Sequence, residues 1–217
     1  EDGIRDYKVT GVQTCALPIW QQIAKAKDFK LPETYAAPKI PADAPKYKVK
    51  LSGGREFTIA LMTAQAPKHA EAFQKLVDAK FWDGQQVDEI WRPTKMMRRF
   101  PITQFHFGFE STKSENKADW DTTKPVDKEK LVDEVTNLSH FPGAVAARAG
   151  TESKSEVERL WIGVDDLSFA FDGQRQVFGY VVEGLDALKA LCEVSLSKAD
   201  EEKSGHGRPA EIGRAHV

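Results

Sequence analysis

The sequence predicts a mainly β domain, either a closed β-barrel or a sandwich with helical caps. Short segments with alternating or β-branched residues recur between turn signals along most of the chain. Only two segments show the 3.6-residue period of an amphipathic helix. The length of 217 residues is enough for one domain with a full hydrophobic core.

The first predicted elements are a β-hairpin and a helix. In YKVKLSGGREFTIALMT, alternation, β-branched residues and a Gly-Gly turn coincide, which indicates two paired strands. The segment APKHAEAFQKLVDAKF predicts a helix that begins at Pro67 and buries a stripe containing Phe73 and Leu76. We expect His69 of this helix to be exposed to solvent.

The rest of the chain continues the same pattern. Five further strands are predicted around residues 87–91, 102–109, 143–147, 159–164 and 176–182. The polar stretch 111–130 is predicted to be a surface loop. The segment GLDALKALCEV predicts a second amphipathic helix whose apolar stripe includes Leu185 and Leu188.

Both ends of the chain look foreign to this domain. EDGIRD, a two-residue gap and VTGVQTCALPI resemble the translation of a short-read sequencing adapter, and the terminal EIGRAHV resembles the matching adapter. We therefore expect residues 1–19 and about 211–217 to be adapter-derived artefacts. Residues 20–46 are then a Pro/Ala/Lys-rich linker, and residues 47–210 are the folded domain. The sequence leaves the compartment of this domain open between the cytoplasm and export by a signal peptide that preceded the adapter junction.

The charge balance limits the classes of partner. The chain has 31 Lys and Arg against 33 Asp and Glu, so no basic excess is present for a phosphate backbone or an anionic membrane. No run of apolar residues approaches the length of a transmembrane helix. We expect neither nucleic acid nor a membrane as partner.

Disulfides, metals and cofactors are not expected either. Outside the adapter-like segment Cys192 is the only cysteine, and it lies in an apolar helical run. The histidines and carboxylates, His106 and Asp88 among them, lack the compact spacing of a metal site. We therefore predict no metal and no cofactor.

Several blocks of the sequence resemble the cyclophilin-type peptidyl-prolyl cis-trans isomerase family. FTIALMTAQAPKHAEAFQKLVDAKFWDG resembles a strand and the first helix of that family. HFPGAVAARAG resembles the strand that follows its characteristic glycine, here Gly143, and FDGQRQVFGYVVEGLDALKAL resembles its last strand and helix. The resemblance covers residues 47–210 and implies a closed eight-stranded antiparallel β-barrel capped by two α-helices.

The resemblance also implies activity on X-Pro bonds of peptides and proteins. Rotation about this bond is opposed by roughly 18–20 kcal/mol. The family lowers the barrier with a hydrophobic slot for proline and an arginine that donates to the prolyl nitrogen. Here the chain reads Val87-Asp88-Glu89 where the family has Phe-His-Arg, so Glu89 takes the arginine position. We expect weak or lost catalysis; the alternative is a non-catalytic peptide- or protein-binding module that uses the barrel surface and an inserted loop at residues 91–103.

The site residues follow from the same resemblance. Catalytic positions are Glu89, Gln104 and Arg159. Arg159 either presents a guanidinium that has exchanged places with Glu89 or forms a salt bridge that seals an inactive pocket, and Arg148 or Arg175 are alternative sources of a guanidinium. The implied substrate-binding residues are Ile102, Arg148, Leu160, Trp161, Phe171 and Arg175. We expect proline-containing segments as partners and a monomeric domain.

Overall fold

The computed structural model describes residues 38–93, 102–122, 131–134, 136–149, 154–198, 201, 204–210 and 215–217. Residues 38–217 form one compact unit. The predicted artefact at residues 1–19 and the predicted linker up to residue 37 lie outside the described residues.

The described residues contain ten strands and three α-helices. The strands are β1 Lys46–Leu51, β2 Arg55–Leu61, β3 Glu89–Trp91, β4 Gln104–Phe107, β5 Leu131–Val132, β6 Ala144–Ala149, β7 Lys154–Gly163, β8 Val177–Glu183, β9 His206–Gly207 and β10 Ala215–His216. The helices are α1 Pro67–Asp78, α2 Ser168–Phe171 and α3 Leu185–Cys192.

All strands belong to one antiparallel sheet. Its order is β10-β1-β2-β8-β6-β7-β4-β3-β9, and β5 pairs with β7 beside this path. The sheet curls so that Ala215 of β10 also bonds the segment before β3: its N–H donates to Gln85 O at 2.7 Å, and its carbonyl accepts from Gly84 N at 2.9 Å. The predicted mainly β, barrel-like fold is confirmed.

The number of elements differs from the prediction for a simple reason. Three of the ten strands, β5, β9 and β10, have two residues each, and α2 has four. Elements this short contain only about one period of the hydrophobic pattern, which never repeats, so the sequence does not reveal them. Part of the predicted loop 111–130 forms short 3₁₀ turns at Glu110–Lys113 and Lys117–Asp119, while residues 123–130 lie outside the described residues.

The inward face of the sheet carries an aromatic core. Phe73 of α1 lies at its centre, with ring centroids 4.8 Å from Trp82, 5.4 Å from Tyr47 and 5.7 Å from Phe178. A smaller apolar cluster covers part of the outward face and consists of Met62, Ala144, Ala146, Val177 and Tyr180. Trp161 packs against this outer cluster.

The prediction that His69 is exposed is wrong. Its side chain is fully buried, with Nδ1 2.7 Å from Glu134 Oε2 and Nε2 2.7 Å from Ser155 Oγ. Its ring also stacks on Phe178. The helical period correctly identified the apolar stripe, but partners on other elements make burial of a polar neighbour of that stripe favourable.

The ends of the described chain contact the domain. Ile40 packs against the outer cluster, and Leu61 N donates to Pro45 O at 2.9 Å. Ala215 is 0% exposed and belongs to the inner core, while residues 211–214 of the predicted artefact lie outside the described residues. No helix in the described part of the chain is long and apolar enough to cross a membrane.

Candidate functional site

Strand register places a row of side chains across the outward face of the sheet. Glu89 of β3 is paired with His106 of β4, His106 with Trp161 of β7, and Trp161 with Ala146 of β6. Directly opposite residues of antiparallel strands point to the same face with Cβ atoms about 4.5–5.5 Å apart. The sheet therefore brings Glu89, His106 and Trp161 into one line although they are distant in sequence.

A bulge in β7 positions Arg159 beside this row. The β6 partners step from Leu160 to Glu156, so residues 157–159 have no partner on β6. Arg159 shares the face of Trp161, two residues further along the strand, and the bulge bends the strand at this point. The Arg159 guanidinium lies over the Phe109 ring at 4.2 Å. It forms ion pairs with Asp88 through Nη1 and with Glu89 through Nη2, the latter at 3.2 Å.

The Glu89 carboxylate is hydrogen-bonded to three further side chains. His106 Nδ1 lies 2.7 Å from Oε2, Trp91 Nε1 donates to Oε1 at 3.1 Å, and His206 of β9 contacts Oε1 through Nε2. Burial acts to raise the pKa of Glu89, but the hydrogen bonds from His106 and His206 and the charge of Arg159 outweigh it and hold that pKa well below its usual value. Glu89 is therefore an ionised carboxylate with its oxygens occupied.

His106 and Asp88 respond to burial in opposite ways. Burial raises the pKa of Asp88 to about 6, against the lowering effect of Arg159. Burial lowers the pKa of His106 to about 4, although its hydrogen bond to Glu89 acts to raise it. At neutral pH His106 is thus a neutral imidazole whose Nδ1–H donates to Glu89. Its Nε2 is buried without a hydrogen-bond partner.

His106 is expected to make the free energy of unfolding decrease as the pH is lowered from 6.5 toward about 4. In this range the unfolded chain binds a proton that the folded state excludes. Asp88 acts oppositely, because its folded pKa of about 6 lies above its ordinary 3.8. His106→Asn keeps an N–H donor for Glu89 but does not titrate. Urea unfolding between pH 4 and 7 should show a larger acid loss for wild type than for this variant, and identical profiles would contradict the buried neutral imidazole.

Trp161 is the centre of an aromatic and cationic stack on the same face. The His106 ring stacks on it at 3.8 Å, and Phe171 of α2 meets it edge-on at 5.8 Å. The Arg175 guanidinium lies 3.0 Å from the Trp161 ring centroid and 4.5 Å from that of Phe171. Trp161 is half-buried, and its indole Nε1 has no hydrogen-bond partner.

The structure brings most of the residues predicted from the sequence onto this face. Glu89, Arg159, Trp161, Phe171 and Arg175 lie around the row, as described above. Arg148 lies beside it, 3.6 Å from Glu156 and 5.9 Å from the Phe109 ring centroid.

Gln104, Ile102 and Leu160 are placed differently. Gln104 shares the outward face with His106, but it is paired with Trp91 and Gly163 and is buried. Ile102 precedes it and is half-buried. Leu160 is 0% exposed in the inner core, on the opposite side of the sheet from Trp161. Its side chain therefore does not reach the outward face.

Sequence reasoning missed several members of the site. On the sequence alone, Asp88 and His106 are considered only as metal ligands, and no role is assigned to Phe109 and His206. Alternation along β3 and β4 is a usable signal for Trp91 and His106, because residues two apart in a strand share a face. His206 is 117 residues from Glu89, and no local pattern links them.

Two open clefts adjoin the site. One, of about 280 Å³, borders the charge network and is lined by Asp88, Glu89, Thr122, Arg159, Glu201, His206, Gly207 and Arg208. The other, of about 270 Å³, extends from Arg175 and is lined by Asp133, Glu134, Thr136, Leu138, Gly173, Gln174, Arg175 and Gln176. Among the described residues, no group of three or more His, Cys, Asp or Glu is arranged to hold a metal ion.

Comparison with known proteins identifies the family. Residues 46–211 match the family described as cyclophilin type peptidyl-prolyl cis-trans isomerase/CLD. This match covers most of the chain, and the protein therefore belongs to the cyclophilin-type family. The resemblance inferred from the sequence is confirmed. No curated protein matches the chain significantly.

Solved structures support the fold. Two structures of a Cryptosporidium parvum cyclophilin type peptidyl-prolyl cis-trans isomerase, one of them with the dipeptide Ala-Pro, are similar to this chain. Their TM-scores are 0.54 with the dipeptide and 0.57 without it, each at 13% identity. They cover 79% of this chain, which corresponds to 98% and 96% of their own lengths. At this identity the likeness establishes the fold.

Proposed function

We propose that the chain binds proline-containing peptide segments on the outward face of its barrel and that it isomerises X-Pro bonds weakly or not at all. The observation that carries this proposal is the state of Glu89. An ionised carboxylate stands where the family resemblance implies an arginine, and four side chains already donate to it or pair with it.

A carboxylate in this position opposes catalysis. The twisted X-Pro amide develops a lone pair on nitrogen, which is stabilised by a donor and repelled by a negative charge. Loss of a single donor of this kind costs about 10²–10³ in rate. Replacement of the donor by Glu89 is expected to cost at least as much.

A relocated guanidinium is the alternative that would preserve activity. The contacts of Arg159 favour the salt-bridge interpretation instead, because Arg159 is 4% exposed and both of its terminal nitrogens face carboxylates. A guanidinium held in this way would have to break a buried ion pair before it could reach a peptide.

The remaining surface supports peptide binding. Half-buried Trp161 and Phe171, with the Arg175 guanidinium packed against both rings, form the proposed floor for proline on the outward face, and aromatic side chains that are only partly covered are typical of binding surfaces. A purely non-catalytic binding module would use this same floor, so the two forms of the proposal differ only in the residual rate.

An Ala-Pro peptide tests both parts by exchange NMR. We expect peptide-dependent shifts of the Trp161 indole resonance and an isomerisation rate at least about 100-fold below that of a cyclophilin that has the arginine. Glu89→Arg should raise the rate, since Asp88 remains to pair with Arg159. Glu89→Gln, the matched control, removes the charge but adds no guanidinium and should gain less.

Either part can fail separately. A wild-type rate within about tenfold of the arginine-containing cyclophilin contradicts the loss of catalysis. A peptide that shifts no resonance on the outward face contradicts the proposed binding surface.

A further inference from the structure

Arg175 differs from Arg159 and Arg148, the other two arginines predicted for the candidate site. Arg159 is held by Asp88 and Glu89, and Arg148 faces Glu156 at 3.6 Å. Within the described part of the chain, the Arg175 guanidinium contacts the Trp161 and Phe171 rings and forms no ion pair with a carboxylate. Its cationic group is therefore positioned by packing against the rings and has no direct ion pair.

The manner of packing leaves Arg175 able to bind a ligand. A guanidinium that lies on an aromatic ring covers its flat face and keeps its N–H groups in the plane, where they donate bidentately to a carboxylate. Its Nε is buried and has no hydrogen-bond partner. Burial also lowers the pKa of Arg175 to about 9, which reflects incomplete solvation of the charge. An incoming carboxylate would supply the missing counter-charge.

The cleft of about 270 Å³ beside Arg175 has room for such a group. Two carboxylates line it, and they differ in availability. Glu134 accepts from the backbone N–H of Lys68 and His69 and contacts the His69 ring. Asp133 Oδ1, by contrast, is buried without a partner. The cleft therefore has at one end the Arg175 cation, which has no ion-pair partner, while Arg175 Nε and Asp133 Oδ1 are buried atoms beneath its lining.

An extended peptide in the cleft can present an acidic side chain to the N–H groups of Arg175. A basic side chain in place of the acidic one would instead be repelled by the charge of Arg175. The phenyl and indole rings that hold Arg175 are also the proposed floor for proline, so the acidic residue would lie close to the proline in the peptide.

We infer that Arg175 is a specificity-determining residue that binds the carboxylate of a Glu or Asp immediately before the proline of the bound segment. This inference rests on the proposed peptide-binding function of the outward face. It assigns that face a preferred substrate class, acidic proline-containing segments.

The test compares three peptides that differ only in the residue before proline: Glu, Gln or Lys. Dissociation constants are measured by calorimetry at low and at moderate salt. Wild type should bind the Glu peptide about tenfold more tightly than the Gln peptide, as expected for one charge-assisted hydrogen-bonded pair, and the Lys peptide most weakly. Added salt should reduce this preference.

Variants of Arg175 test whether this residue causes the preference for the Glu peptide. Arg175→Gln should bind the Glu and Gln peptides equally, whereas Arg175→Lys should retain part of the preference because it keeps the charge without the planar fork. Arg55→Gln, in the β1–β2 hairpin, is the matched control and should bind like wild type. A merely structural role of Arg175 would weaken all three peptides in proportion and leave their ratios unchanged.

Three outcomes would overturn the inference. Equal, measurable binding of all three peptides by wild type removes the acidic preference but leaves the proposed function intact. Tighter binding of every peptide by Arg175→Gln would show that Arg175 covers Trp161 as a plug. Failure of all three peptides to bind at millimolar concentration overturns the proposed function itself.

Discussion

Arg159→Met is expected to lower the free energy of unfolding by about 3–5 kcal/mol, the cost of leaving buried charges without a partner. The side chain of Asp88 is 2% exposed and that of Glu89 is 26% exposed, and Arg159 pairs with both. Glu89 keeps its contacts with His106 and His206, so most of the cost falls on Asp88. Urea denaturation at pH 7 measures the effect.

The dependence of this loss on pH separates the buried network from a general packing defect. Arg159 lowers the pKa of Asp88, so its removal moves that pKa above about 6. Protonation of Asp88 then relieves the unpaired charge, and the loss should be smaller at pH 5 than at pH 7.

The control is an ion pair on the surface. Lys48 and Glu56 are 3.1 Å apart with side chains 53% and 54% exposed, and such pairs contribute about 0–1 kcal/mol. Lys48→Met should therefore change stability little. A loss for Arg159→Met as small as that for Lys48→Met, or independent of pH, would contradict the buried network.

The sequence predicted those parts of the fold that show a local period. The β1–β2 hairpin and α1 carry clear signals, because Gly53 and Gly54 mark a turn and Pro67 marks the first residue of a helix. The two-residue strands and the bulge at residues 157–159 carry none. These features arise from pairing between strands distant in sequence, which a single sequence does not encode in its spacing.

The candidate site was predicted only in part, because it too depends on pairing between strands that are distant in sequence. Family resemblance located Glu89 and its neighbour Arg159, but it pointed to Gln104 where the strand register places His106 opposite Glu89. Leu160 was assigned to the same surface as Trp161, although adjacent residues in a strand face opposite sides. The protonation states of the network follow from burial, which depends on tertiary contacts.

The backbone at Gly108 packs closely against the part of β7 that carries Arg159. A Cβ added at Gly108 would lie 2.1 Å from Glu158 O and 2.7 Å from Arg159 Cα. Its φ of +138° is also one that residues with a side chain rarely adopt. Gly108 thus lets the chain after β4 approach the β7 bulge closely, where Trp82 Nε1 donates to Glu158 O at 2.9 Å.

Gly108→Ala is therefore expected to destabilise the domain by about 3–5 kcal/mol, the sum of backbone strain and overpacking against a neighbouring strand. The clash is with backbone atoms, so no side-chain rotation relieves it.

Gly54→Ala is the matched control, because Gly54 has φ +76° and no atom within 4 Å of an added Cβ, and it should cost only about 1–2 kcal/mol. Urea denaturation compares the two, and the Trp82 indole resonance reports the bulge directly. Equal losses with an unshifted Trp82 resonance would contradict the close approach. A shifted resonance together with a weakened Asp88–Arg159 pair would show that this glycine sets the position of the buried charges.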